Sequence, residues 1–179
     1  MDKNDNPQAV RFLESMARHG ELEAGERFSA LHPLSESAGH KKEFEWAKEL
    51  CGFLNDNYDD ETVKAIRTDC VCGSDFEWCA NIRELYRNEN DPHVFVEKAN
   101  QLEPGFTLEY DGTFYYLVYP RCYCSCVNQT GELLPKAWCY CTLGFSKRMF
   151  NYIFDKEVEA VLLASVKQGG SECRIRIKA

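Results

Sequence analysis

The sequence predicts an α+β fold, with a helical N-terminal half packed on a C-terminal antiparallel sheet of about four strands crossed by one helix. Three observations lead there. Apolar residues recur at helical spacing through the first hundred residues. At Pro104-Gly105 the pattern switches to short β-branched and aromatic runs punctuated by glycine. The chain has 179 residues and is 44% apolar, enough for a packed core. On this reading residues 1–103 form a helical region and residues 104–179 a cysteine-rich α+β region, together one compact unit.

The elements follow in order. Ala9, Val10, Leu13, Met16 and Ala17 share one helix face, and the helix ends near Gly20. A short helix carries Leu22, Phe28 and Leu31 and stops at His32-Pro33. Phe44, Ala47, Cys51 and Leu54 line a helix over 43–54, and Trp46, Leu50 and Phe53 widen its apolar stripe. Asp59 caps a helix bearing Val63, Ile66 and Cys70. Gly73 suits a positive φ, and Ser74 with Glu77 reads as a capping box for a helix with Phe76, Cys79, Ala80, Ile82 and Tyr86 inward. Asp91-Pro92 opens a helix through Val94, Phe95, Ala99 and Leu102. Residues 106–110 and 113–119 flank Asp111-Gly112, which predicts a hairpin with a type I′ turn. Pro135 introduces a segment to Phe154 that is helical in its second part. Residues 157–166 read as a strand, Gly169-Gly170 as a turn, and Cys173, Ile175 and Ile177 alternate with Arg174, Arg176 and Lys178 in a closing strand.

Charge narrows the partners. There are 21 Lys+Arg against 29 Asp+Glu, a net charge of −8. Residues 1–103 hold 12 basic and 22 acidic side chains, whereas residues 104–179 hold 9 and 7. Neither part has the dense basic stripe that phosphate backbones require, so nucleic acid is not an expected partner. No apolar run approaches the roughly 18 residues of a membrane span. The first ten residues have no basic and apolar signal pattern, which leads to a cytoplasmic expectation.

Ten cysteines stand out. Seven fall in C-x-C units: Cys70/Cys72, Cys122/Cys124/Cys126 and Cys139/Cys141. In a helix, residues i and i+2 point about 200° apart. In an extended segment they share a face with Cα atoms roughly 6.6 Å apart. Each doublet therefore predicts extended or turn backbone. Cys122, Cys124, Cys139 and Cys141 make the most economical four-thiolate zinc site, with Cys70 and Cys72 joining it or replacing one pair. An iron–sulfur cluster is the alternative cofactor. Redox or catalytic thiols remain a second reading, with a nucleophile among Cys70, Cys72 or Cys141. Plain buried cysteines are the third; Cys51, Cys79 and Cys173 lie on apolar faces and read as inert. Arg121, Tyr123 and Lys147 are the candidate contacts to a small ligand. His19, His32, His40 and His93 form no ligand motif, and no phosphate-binding glycine loop or G-x-S-x-G is present.

Tyr119-Pro120-Arg121-Cys122-Tyr123-Cys124, Trp138-Cys139-Tyr140-Cys141-Thr142-Leu143-Gly144-Phe145, Met149-Phe150 and the stretch from Ser165 through Gly169 to Ile177 resemble an uncharacterised cysteine-rich bacterial family. The likeness covers residues 65–179. The closing pattern of strand, glycine turn, Cys173 and alternating strand is also similar to 4-vinyl-reductase small-molecule-binding domains and to aminothiazoline-carboxylate hydrolase-like proteins. Ser165 stands where the vinyl-reductase pattern places a further Cys. The first likeness implies small-ligand binding, sometimes with a cysteine-held metal. The second implies a hydrolase or thiol-dependent enzyme acting on a small cysteine-like heterocycle.

Overall fold

Asn6 begins the ordered helices: its side chain accepts a hydrogen bond from Gln8 N at 2.9 Å, and Pro7 occupies the first turn, where no N–H is needed. Helix α1 (Pro7–Arg18) ends before Gly20, whose φ of +78° reverses the chain into α2 (Leu22–Leu31). Helix α3 (His40–Asn57) follows, then α4 (Asp60–Asp69), capped by Asp59 accepting from Thr62 N at 2.7 Å. A computed structural model describes residues 4–73 and 75–179; the Ser74 half of the expected capping box lies outside them. The chain divides into two units, each discontinuous in sequence: Met1–Cys72 with Tyr123–Gly144, and Gly73–Cys122 with Phe145–Ala179.

The first unit is helical. Phe12 of α1 meets Phe28 of α2 edge-on at 5.5 Å, and Trp46 of α3 at 6.3 Å. Trp46 also meets Trp138 edge-on at 6.4 Å and donates to His32 O at 3.0 Å. Such T-shaped pairs satisfy the ring quadrupoles while burying large apolar area. Ser15 Oγ, fully buried, donates to Ile66 O at 2.6 Å and ties α1 to α4.

In the second unit a single turn of 3₁₀ helix (Glu77–Cys79) leads into α5 (Ala80–Asn88), and Asp91 caps α6 (Pro92–Gln101). The sheet is antiparallel with strand order β1 (Thr107–Tyr110), β2 (Tyr115–Tyr119), β4 (Cys173–Lys178), β3 (Glu159–Ala164). Leu117 pairs with Ile175, and Ile175 with Leu162, so one face is apolar across the middle of the sheet. Phe95 of α6 and Phe154 of α7 (Lys136–Phe154) pack on Tyr115 from that face, at 6.1 and 5.0 Å. The fold is α+β, with most helices in the N-terminal part and the sheet at the C-terminal end.

Two local expectations change. Tyr110 pairs with Tyr115, so the hairpin loop has four residues rather than a two-residue type I′ turn. Asp111 is the reason: its Oδ1 accepts from Thr113 N at 2.9 Å and Phe114 N at 2.8 Å, and its own N–H donates to Phe114 O. The second change is in α7, which is helical from Lys136 onward and so includes Cys139 and Cys141. Ala137 through Cys141 are all buried. A helix buried on every side carries no polar stripe to betray its period.

Candidate thiol site

The first unit holds the site. Four segments deliver its side chains: α1, the buried face of α4 with the residues after it, the 123–135 segment, and the start of α7. Val63, Ile66, Arg67 and Cys70 repeat at i, i+3, i+4 and i+7, so α4 turns an arginine inward among apolar residues.

Arg67 is fully buried. Its Nε donates to Ala137 O at 3.3 Å and its Nη2 to Trp138 O at 3.2 Å. The guanidinium lies 4.8 Å from the Trp138 ring centroid, a cation–π contact. Nη1 has no hydrogen-bond partner. The carbonyls of Ala137 and Trp138 belong to the first turn of α7, so Arg67 also fixes where that helix begins relative to α4. Gly144 completes the approach. A Cβ there would fall on the Thr68 carbonyl, 2.7 Å from its carbon and 2.8 Å from the Thr68 Cα, so only glycine lets α7 lie against α4.

Thiols surround this cation. Burial works against the Arg67 charge, and interaction with Cys70, Cys141, Cys51 and Cys124 outweighs it, holding the group above the ordinary arginine range. Burial pushes the Cys141 thiol up to about 11; Arg67 opposes this, while Cys72 and Cys70 add to it. The Cys51 thiol is likewise pushed up to about 11 by burial, with Arg67 pulling the other way. Cys70 caps α4, and its Sγ donates to Ile66 O at 3.3 Å. Cys72 is exposed, and its Sγ accepts from Gln8 Nε2 at 3.4 Å and Arg11 Nη2 at 3.6 Å. Cys124 O accepts from Val127 N and Asn128 N, a turn that folds Cys126 back toward Cys124. The two thiols share a hydrogen bond that raises Cys124 and lowers Cys126. Cys124 also feels Cys141 and Cys72.

Of the expected set, Cys70, Cys124 and Cys141 act electrostatically on Arg67, and Cys72 acts on Cys124 and Cys141. Cys122 belongs to the second unit. Cys139 sits two residues from Cys141 in α7, where the helix turns the two side chains about 200° apart, so the pair cannot act as the extended doublet its spacing suggested. Cys51 and Cys126 join the group instead. Arg67 had a signal of its own in the sequence: an arginine at a helical position flanked by Val63, Ile66 and Cys70. Among the described residues, no group of three histidine, cysteine or carboxylate side chains stands ready to hold one metal ion. Of the expected ligand contacts, Tyr123 lies in the first unit, and Arg121 and Lys147 in the second.

Beside Cys126 is a cleft of about 370 Å3. Helix α3 supplies His40, Lys41, Phe44 and Lys48 to it, and the facing segment supplies Cys126 and Glu132. Lys48 and Glu132 are 3.6 Å apart across it. This mixture of one apolar ring, both signs of charge and a thiol can orient a small polar molecule.

No helix among the described residues is long and apolar enough to cross a membrane. Residues 11–179 match a family of unknown function (DUF6144), and the chain belongs to that family. The match reaches well upstream of residue 65 and takes in α1 from Arg11 onward. No curated protein matches the chain.

Proposed function

We propose that this protein is a small-molecule-binding or sensing protein built around a cysteine-ligated metal centre, with Cys70, Cys72, Cys124 and Cys141 as ligands. The observation that carries the reading is Arg67. A buried guanidinium needs a counter-charge, and no carboxylate pairs with it among the described residues. The nearby groups that can become anionic are thiols. Four thiolates around a divalent cation carry a charge of −2, and Arg67 with Arg11, whose Nη2 reaches Cys72 Sγ, neutralises it. Ligation would also overcome the burial that keeps Cys141 protonated, because a coordinating thiol gives up its proton to the metal's charge. As they stand the thiols are near one another without converging, so an ion must draw them together. The cleft beside Cys126 is the place for the small molecule, one turn of chain from Cys124.

Metal analysis of freshly purified, reduced protein tests this reading, with Cys141→Ser and Cys173→Ser alongside. The wild type and Cys173→Ser are expected to hold stoichiometric metal, and Cys141→Ser to lose most of it. Wild-type protein without stoichiometric metal sinks the reading.

A second reading is favoured by the position of Cys126 on the cleft: a thiol-dependent enzyme acting on a small heterocycle. Turnover of such a compound by metal-free protein, abolished by Cys126→Ser, would select it.

A further inference from the structure

We infer that the cleft beside Cys126 takes disulfides of amino-acid thiols, and that Cys126 exchanges with them to carry half of the molecule as a mixed disulfide. This rests on the placement of the small molecule in that cleft and does not require the metal centre.

Charge selects the class of ligand. Some of the charged groups on the cleft already have partners: Lys48 and Glu132 lie 3.6 Å apart, and His40 lies 3.2 Å from Glu43. Lys41 and Glu45 also line it, and neither has a hydrogen-bond or ion-pair partner among the described residues. They stand four residues apart on one face of α3, with the lysine first, the weaker order for pairing with each other. The cleft therefore offers one unpaired cation and one unpaired anion, about 6 Å apart along the helix axis. Such a couple suits a zwitterion, with its carboxylate on Lys41 and its ammonium on Glu45. Phe44 lines the same space and provides for a short apolar body. The volume of about 370 Å3 lies at the small end of ligand pockets, as a molecule of this size requires.

The thiol supplies the chemistry. Cys126 lines the cleft but is only 7% exposed, so the cleft is its route to a reactant. The Gln8 side chain, 4% exposed, hydrogen-bonds Cys126, and its Oε1 is buried without a partner. An ammonium has three N–H groups, and a molecule joined to Cys126 brings them to a region with an acceptor in need of a donor. In the exchange, the Cys126 thiolate attacks one sulfur of the ligand. The ligand's S–S bond breaks as the new S–S bond to Cys126 forms, and the other half leaves as a thiolate that takes up the proton Cys126 lost. Cys126 is oxidised to the disulfide level and one ligand thiol is reduced, so no further oxidant enters. Free thiol reverses the step. The fraction of protein carrying the adduct then follows the ratio of disulfide to thiol, which is how such a site senses.

The test incubates the reduced full chain with cystine or with the uncharged bis(2-hydroxyethyl) disulfide, and follows adducts at each cysteine by peptide mass spectrometry. Cys72, exposed and not among the residues lining the cleft, reports the intrinsic reactivity of each disulfide. Relative to Cys72, Cys126 should favour cystine severalfold over the uncharged probe, and excess cysteine should remove the adduct. Lys41→Gln and Glu45→Gln, both at exposed positions, should each abolish most of that preference and leave reaction with the uncharged disulfide unchanged. No adduct at Cys126, a cystine preference no greater than at Cys72, or a preference that survives both substitutions overturns the inference. Metal analysis of the same samples separates this result from the metal centre. A Cys126 adduct on protein isolated without metal overturns the centre alone; stoichiometric metal with no Cys126 adduct overturns the exchange alone. The absence of metal and adduct together overturns both.

Discussion

Replacing Gly144 by alanine isolates the contact that brings α4 and α7 together. In an unencumbered helix this change stabilises by about 1 kcal/mol, because alanine loses less backbone entropy. Here the new Cβ meets backbone, not the tip of a flexible side chain: the Thr68 carbonyl carbon and Cα lie 2.7 and 2.8 Å away, and the oxygen lies nearer still. Overpacking of a filled interior costs about 1–3 kcal/mol. Contact with rigid backbone belongs at the upper end of that range, so the net effect should be a loss of about 2 kcal/mol. Urea unfolding followed by fluorescence of the buried Trp46 and Trp138 reads it directly. With a slope of about 2 kcal/mol/M, the midpoint should fall by about 1 M at unchanged slope. Gly52→Ala in α3 is the control: nothing lies within 4 Å of its Cβ, so it should gain about 0.5–1 kcal/mol. The same Gly144→Ala protein should bind less metal, since Cys141 rides on α7 and Cys70 on α4. A Gly144→Ala midpoint at or above the wild-type value would refute the packing argument.

In the second unit, Asn100→Ala should cost about 1–3 kcal/mol, because the side chain both donates to Leu108 O and accepts from Leu108 N, at 2.9 and 2.8 Å; hydrogen exchange at the Leu108 amide should accelerate, and unchanged protection would contradict the role. After chelation and reduction, limited alkylation near neutral pH should mark Cys72 first and Cys51 and Cys141 last, since Cys72 is exposed and burial pushes the other two up to about 11; peptide mass spectrometry showing early Cys51 modification would count against the assigned burial. Arg87, with Arg83, holds the Asp155 carboxyl below the usual carboxylate range. Its contribution to stability is present above the unfolded value near 3.9 and is lost as pH falls through the lower folded value. Asp155→Asn should therefore destabilise slightly at neutral pH and flatten the acid limb of the stability curve, as read by urea midpoints between about pH 3 and 7; parallel curves would rule out this linkage.

The local ends of the elements were legible because each is set by a residue acting on its near neighbours. Asp59, Asp91 and Gly20 announce helix boundaries that the structure keeps, and the alternation from Cys173 to Lys178 announces a half-buried strand. The same locality explains the hairpin error. Asp111-Gly112 has the composition of a two-residue turn, but the Asp111 carboxylate holds two N–H groups and lengthens the loop.

The thiol group could be read only in part. Sequence showed that cysteines cluster in doublets and named Cys70, Cys72, Cys124 and Cys141 among the candidates. It could not show that Cys139 and Cys141 lie in a helix rather than on extended backbone, because the segment from Ala137 to Cys141 is buried throughout and lacks the polar face that marks a helix. Cys51 looked like any core thiol, and Cys126 like a third member of a run. What sequence determined, then, was short-range: capping, turns, strand alternation and the supply of sulfur. What only the tertiary structure decided was which sulfurs surround Arg67, because that depends on α4 and α7 touching at Thr68 and Gly144, residues 76 positions apart along a chain whose local patterns carry no record of that contact.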